Sequence, residues 1–360
     1  MIPVSQPSLN ESDFQAAQNA LRSGWISSIG SDLREFEEEF SKYLGLKYCV
    51  SCSNGTTALQ LAFTAARIGF GDEVIIPNLT FAAVANAVLA VGAKPVCVDV
   101  DIESWNISAV KIKNYINDKT KAIVVVHSYG VPVDVLAIKN EFPSLIVIED
   151  CAEAHGAEIF NRKVGTLGDI STFSFYANKI ITTGEGGCVS TNNEEFYQRL
   201  KILRDHGMNP QVRFSHIMPG FNYRMTNIQG AIGRSQLVRI SEFIAERNDQ
   251  EHIYDQKLLK LGFERQGRSN ESKSVNWLYT RLVPAGWDRD ALILHLKSRQ
   301  IETRPIFKPI NSFQYMHKST TSAVEYKNSE SISIRGISLP TFNGLSIDQQ
   351  TLIIKAIEEF

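Results

Sequence analysis

Four short clusters hold the residues that could do chemistry. Lys179 stands at the end of Ser174-Phe175-Tyr176-Ala177-Asn178-Lys179, just ahead of the glycine-rich Thr182-Thr183-Gly184-Glu185-Gly186-Gly187. An amine desolvated by such neighbours has a lowered pKa and becomes a nucleophile, the alternative being an ordinary solvated lysine. Asp150 and Glu153 lie in Glu149-Asp150-Cys151-Ala152-Glu153-Ala154-His155-Gly156, directly after the apolar run Leu145–Ile148. Carboxylates just past the end of a buried parallel strand face the crevice where α/β sheets bind ligands, and a plain surface turn is the competing reading. Ser53-Asn54-Gly55-Thr56-Thr57-Ala58 opens an apolar helical stretch. A helix N-terminus with glycine and hydroxyls offers N–H donors to an anion such as phosphate, or is simply capped. Gly220-Phe221-Asn222-Tyr223-Arg224-Met225 is a polar and aromatic loop ahead of a long helical stretch.

The elements that must position these clusters can be read from the apolar pattern. Val74–Ile76, Pro95–Val98, Ala122–Val126 and Leu145–Ile148 are short, continuous and rich in β-branched residues, as strands covered on both faces are. Helical patterns alternate with them. Ser31–Leu44 reads as an N-capped amphipathic helix closed by Gly45, and Thr56–Ile68 as a buried helix stopped at Gly69. Together they predict a three-layer α/β domain around a mostly parallel sheet over residues 1–240. A helical stretch from Thr226 through Arg247 spans the join to a smaller α+β domain, residues 241–360. That domain has a strand at Trp277–Val283 and helices at Asp288–Gln300 and Ser346–Phe360. Asn311–Ser331, polar and short of pattern, reads as a surface excursion.

Composition narrows the function classes. The 360 residues carry 37 Lys+Arg against 39 Asp+Glu, a formal charge of −2, so no global basic field favours nucleic acid or an anionic membrane. No apolar run approaches the roughly 20 residues of a membrane span, and no secretory signal pattern opens the sequence. Five cysteines, an odd number, favour a reducing compartment and hence the cytoplasm. The lone Cys49-Val50-Ser51-Cys52 lacks a second ligand pair, so no metal site is expected. The glycine run is not GxGxxG, which disfavours an NAD-type oxidoreductase.

A phosphate loop, a strand-end aspartate and a lysine in one α/β domain are what pyridoxal 5'-phosphate needs: an anion cradle, a partner for the pyridine nitrogen, and an amine to bind it covalently. The sequence resembles the DegT/DnrJ/EryC1 nucleotide-sugar aminotransferases, fold type I enzymes of that cofactor. The likeness is carried by Gly24-Trp25-Ile26-Ser27-Ser28, Ser53-Asn54-Gly55-Thr56, Gly71-Asp72-Glu73-Val74-Ile75-Ile76-Pro77, Glu149–Ala154, Asn178-Lys179, Gly184–Gly187 and Asn222–Asn227. Within that family it is most similar to members that aminate C4 of GDP-4-keto-6-deoxy-mannose, through Ser174–Gly187, Leu203-Arg204-Asp205-His206-Gly207, Ile301–Pro305 and Arg335–Pro340.

The resemblance implies a role for each matching residue. Lys179 is the lysine that binds the cofactor and then moves the proton, and Asp150 pairs the pyridine nitrogen. Glu153 sits near the ring's phenolic oxygen, Phe81 stacks on the ring, and Gly55, Thr56 and Ser174 bind the phosphate. Asn222 matches a residue supplied by a partner subunit, so the likeness implies a homodimer with a shared active site. L-Glutamate is the implied donor, pyridoxamine phosphate the amino-carrying form, and a nucleotide-linked keto sugar destined for a glycan the acceptor. Trp25, Arg304 and Phe307 are candidate substrate contacts, and Lys308 a further cation for a diphosphate. The stretch Lys308-Pro309-Ile310-Asn311-Ser312-Phe313-Gln314-Tyr315 departs from the family's pattern where the sugar nucleotide is expected. A 4-aminotransferase for UDP- or dTDP-linked sugars, and a non-catalytic cofactor-binding regulator on the same fold, are the alternatives.

Overall fold

The computed structural model describes residues 1–316 and 325–360. Its centre is a seven-stranded sheet: β1 (Tyr48–Cys52), β2 (Glu73–Pro77), β3 (Lys94–Val98), β4 (Thr120–Val126), β5 (Ile146–Asp150), β6 (Ile170–Ser174) and β7 (Gly187–Thr191). The spatial order is β1-β7-β6-β5-β4-β2-β3. β7 runs antiparallel to both β1 and β6, and every other pairing is parallel. The fold is thus α/β with a mixed, mostly parallel sheet, as the continuous apolar runs imply.

Alternation along the strands divides the interior in two. Ile75, Ile123, Val125 and Val147 face one core with Phe36, Phe40 and Phe173, while Ile76, Val124, Ile148 and Val189 face the other with Leu59, Leu61 and Phe63. Phe36 and Phe40 sit edge-on to Phe175, at 5.2 and 5.3 Å between centroids, and bind helix Ser31–Leu44 to the sheet beneath the lysine loop. Truncating either to alanine removes a wholly buried ring, a loss of about 3–5 kcal/mol. Cys49 and Cys52 belong to opposite cores, so their CxxC spacing makes no thiol pair; all five cysteines are free and buried.

Several sequence expectations shift in detail. Helix Ser31–Leu44 is capped by Gly30, with no side-chain cap of its own. Asn227 of a distant helix supplies the acceptor instead, taking the Leu33 N–H at 3.0 Å, and a Cβ on Gly30 would lie 2.2 Å from that side chain. The buried helix runs Gly55–Ala65 and ends before Ile68. Arg67 adopts φ +60°, and the bonds Ile68 N–H to Phe63 and Arg67 N–H to Thr64 close it in a Schellman arrangement. The long helical stretch breaks at Arg239 into Asn227–Val238 and Ile240–Leu258.

A second, four-stranded antiparallel sheet orders Glu264–Arg265, Tyr279–Leu282, Gly336–Leu339 and Arg304–Pro305, over a core that includes Leu292, Leu296, Ile353 and Ile357. The Val4 N–H reaches Glu302 Oε2 at 3.0 Å, and Ile2 bridges Ile301. Asn311–Ser331 is only partly an excursion. Met316 and Tyr326 are buried, and Lys327–Arg335 is a helix whose first turn is held by Asp99. Residues 317–324 of that expected excursion lie outside the described residues.

Candidate active site

One cavity of about 800 Å³ opens beyond the C-terminal ends of β4 and β5. Gly55, Thr56, Phe81, Asp150, Glu153, Ser174, Lys179, Arg304 and Phe307, all singled out from sequence, line it. Trp25 does not; it is 59% exposed, with its carbonyl held by Asn227. Lys308 and Asn222 are also exposed and outside this cavity, Asn222 bridging Asp205.

One end of the cavity is the start of helix Gly55–Ala65. Asn54 caps it in a capping box, taking the Thr57 N–H at 2.9 Å while the Asn54 carbonyl takes that of Ala58. The cap leaves Gly55 and Thr56 at the cavity wall, with the positive end of the helix dipole behind them. Ser174, the last residue of β6, packs directly on Gly55.

Three titratable groups meet at the other end. Burial pushes the Lys179 amine below the ordinary lysine value, opposed first by Glu153 and then by Asp150. Burial pushes the Asp150 carboxyl up, against the Ala152 N–H bonded to Oδ1 at 3.0 Å and the Lys179 charge. Burial likewise pushes Glu153 up to about 7, against Lys179 and the Tyr129 N–H bonded to its Oε2 at 2.8 Å. His155, packed between Phe173 and Phe175, is pushed down to about 3 by burial and by Lys179, and is therefore neutral. A pyridoxal phosphate fits this donor set. The cavity holds an anion cradle, an amine of lowered proton affinity and a carboxylate without a fixed counter-cation, and Asn178 Oδ1 is buried with no hydrogen-bond partner.

His127, Glu149 and Cys151 bring a nitrogen, an oxygen and a sulfur within 4.8 Å of one another. The electron pairs of Glu149 and His127 are otherwise engaged. Glu149 accepts the N–H groups of Gly165, Leu167 and Gly168 and bonds His127 Nε2 at 3.0 Å; His127 Nδ1 accepts the Val133 N–H at 3.1 Å. This cluster is a buried strut under the end of β5, and it braces Asp150.

Sequence reasoning missed the aromatic wall. Tyr129, at φ +54°, stacks between Trp277 (5.9 Å) and Phe307 (5.2 Å), and Phe307 lies 5.7 Å from Phe81. The Phe307 N–H donates to the Tyr129 hydroxyl at 3.2 Å. Tyr129 follows β4 as Asp150 ends β5, so the strand-end rule applied to His127–Gly130 points to it. Trp277 carries no such signal, because it reaches the cavity from the segment leading into Tyr279–Leu282.

Comparison with known proteins gives the family. A Caulobacter vibrioides protein described as a GDP-perosamine synthase is 41% identical over 366 residues, covering 99% of this chain and 98% of its own. The crystal structure of the aminotransferase TlmJ from Streptoalloteichus hindustanus superposes with a TM-score of 0.94 at 30% identity, over 100% of this chain and 98% of that one. A putative sugar aminotransferase, Spr1654 of Streptococcus pneumoniae, solved in its PLP form, gives 0.94 at 26% identity, over 99% and 98%. Residues 7–358 match the DegT/DnrJ/EryC1/StrS aminotransferase family, and the chain belongs to it.

Proposed function

We propose that this transaminase uses pyridoxal phosphate to move an amino group from L-glutamate to the C4 keto group of a nucleotide-linked 4-keto-6-deoxy sugar, GDP-4-keto-6-deoxy-D-mannose, giving GDP-perosamine. The observation that carries the reading is the meeting of Lys179, Asp150 and the Gly55 helix start in one cavity, in a chain 41% identical to a GDP-perosamine synthase. Bound there, the cofactor supplies a ring that takes up the electron pair left when a proton leaves the carbon bearing the amino nitrogen.

The chain's own residues do the rest. Gly55, Thr56 and Ser174 hold the phosphate, and Phe81 packs on the ring. Asp150 keeps a proton on the ring nitrogen; the cation placed beside it relieves the burial that raises its pKa. Glu153 hydrogen-bonds the phenolic oxygen. Lys179, its proton affinity lowered by burial, takes and returns the proton. Arg304 and Phe307 hold the sugar nucleotide at the cavity mouth.

A division near residue 240 into a large cofactor domain and a smaller one places the cavity between them. A homodimer is part of the same reading, supported by exposed Phe14, Leu21, Trp25, Ile29 and Phe214 and by Asn222, which is exposed and does not line its own cavity. A cytoplasmic location is part of the same reading, supported by five free, buried cysteines. No helix among the described residues is long and apolar enough to cross a membrane.

The test is product identification after incubation with L-glutamate and the GDP-, UDP- and dTDP-linked 4-keto-6-deoxy sugars in parallel. A 4-amino sugar from the GDP substrate, with 2-oxoglutarate released and no product from Lys179→Ala, is expected. Turnover confined to a UDP or dTDP substrate would replace the sugar nucleotide, and turnover by the alanine variant would overturn the role of Lys179.

A further inference from the structure

Four contacts converge on a residue to which the chemistry above gives no part. Trp277 is 3% exposed and lines the cavity. Its indole Nε1–H donates to the Asn178 carbonyl at 2.8 Å, and Lys179 Nζ stands 4.0 Å from the centre of its ring. Its own carbonyl accepts from Arg247 Nη1 at 2.6 Å. Arg247 is itself buried and fixed by Asn343 at 2.8 Å, and Tyr129 stacks with the indole, 5.9 Å away and inclined by 29°. The ring is thus held through its backbone, its N–H edge and a stacked ring.

We propose that Trp277 is a positioning residue for Lys179: the indole N–H fixes the backbone at Asn178-Lys179, and the ring face holds the protonated amine at the mouth of the proton path. This rests on reading Lys179 as the lysine of the transaminase. A lysine has four rotatable side-chain bonds and makes a point-charge contact, so something must hold its amine while it is free of the cofactor. Asp150 and Glu153 attract the amine within the cavity, and His155, which is neutral, adds no charge. The π face of Trp277 adds an attraction for the ammonium form alone, strong where water is excluded. It works against burial, the dominant influence lowering the affinity of Lys179 for its proton. Arg247, bonded to the Trp277 carbonyl, and Tyr129, stacked with the indole, locate the ring.

The test separates the π face from the N–H. In cofactor-free full-length protein, the rate of acetylation of Lys179 by acetic anhydride, read by peptide mass spectrometry against pH, gives the midpoint for the free amine. Trp277→Leu removes both contributions and is expected to lower that midpoint by about one pH unit, a tenfold loss of proton affinity. Trp277→Phe keeps a π face and is expected to stay within about 0.3 pH unit, while losing the hold on Asn178. In the loaded enzyme both variants should lower kcat about tenfold and leave KM for the sugar nucleotide within about threefold. An unchanged or raised midpoint in Trp277→Leu would overturn the proposal.

If that variant does not fold, 5-fluorotryptophan placed at position 277 alone weakens the π face and keeps the N–H and the packing. It should lower the midpoint by a few tenths of a unit, and no change there overturns the proposal equally. Borohydride reduction of the wild-type holoenzyme should fix the cofactor on Lys179. Its failure would overturn the reading of Lys179, whereas the acetylation midpoint needs no cofactor.

Discussion

Replacing Gly55 by alanine probes the anion cradle with a single methyl group. An alanine Cβ would lie 2.8 Å from Ser174 Cβ, 3.2 Å from its Oγ and 3.5 Å from its Cα. Carbon atoms pack at about 3.5–4.0 Å, so the helix start and the end of β6 must separate by roughly 0.7–1.2 Å. Neither wall yields easily. Ser174 is paired in register with Gly187, and a Cβ on Gly187 would itself meet the Asn54 carbonyl at 2.6 Å. Overpacking of this kind costs about 1–3 kcal/mol. Because the displaced atoms carry the helix N–H groups proposed to hold the phosphate, most of the cost should appear in cofactor affinity. Absorbance titration of cofactor-free Gly55→Ala with pyridoxal phosphate should give a Kd raised about 10- to 100-fold. Thr56→Ala, which removes a hydroxyl and adds nothing, should change Kd by less than about tenfold, the worth of one hydrogen bond. A Gly55→Ala protein that binds the cofactor within twofold of wild type would refute the argument that this close approach shapes the site.

Other perturbations test the buried charges. His155, depressed to about 3 from an unfolded value near 6.5, favours the native state fully above pH 6.5, and that contribution is lost as pH falls toward 3. The difference amounts to about 5 kcal/mol at its limit, so urea melts of His155→Phe should overtake wild type progressively below pH 6. Parallel curves from pH 7 to 4 would remove this role. The comparison must be made between variants, because Glu153, raised to about 7, works in the opposite sense and stabilises as it gains its proton below pH 7. Glu149→Gln puts an amide NH₂ against buried donors and should cost about 3–5 kcal/mol in chemical denaturation at pH 7. Since four hydrogen bonds outweigh burial and hold the Glu149 carboxyl low, that deficit should shrink as pH falls below the unfolded carboxyl value. Asp150→Asn should slow the half-reaction with L-glutamate about 10²- to 10³-fold in stopped-flow absorbance while leaving Tm unchanged or raised. A loss of less than tenfold would dissociate Asp150 from the ring nitrogen.

The strands at the heart of the sheet were legible because β2, β4 and β5 are unbroken β-branched runs. β1 and β7 were not. Cys, Ser, Gly and Thr fill them, and they are stabilised by pairing with each other across a long stretch of chain rather than by local preference. The same distinction runs through the site. Gly55 starts a helix and Asp150 ends a strand, while Glu153 and Lys179 lie in the loops just beyond strand ends, positions that a linear pattern marks. Tyr129 enters through a left-handed backbone, and Trp277 comes from beyond the large sheet, so only the folded chain brings them together. Trp25 belongs to a stretch that carried the resemblance, yet it does not line this cavity; resemblance transfers identity of residues more readily than their reach.

The tie between Val4 and Glu302 spans 298 residues, and that between Leu33 and Asn227 spans 194. During synthesis, which proceeds at about 5–20 residues per second, the first two helices are therefore made on the order of 10–40 s before Asn227 emerges, and Val4 waits on the order of 15–60 s for its partner. For the first part of that interval, on the order of 7–27 s until β6 has been made, Phe36 and Phe40 lack the Phe173 and Phe175 rings that later cover them. The opening forty residues of the sequence are thus a segment that the ribosome releases early and the fold accepts late, and a chaperone binding there during translation would shield the surface that later seats the lysine loop.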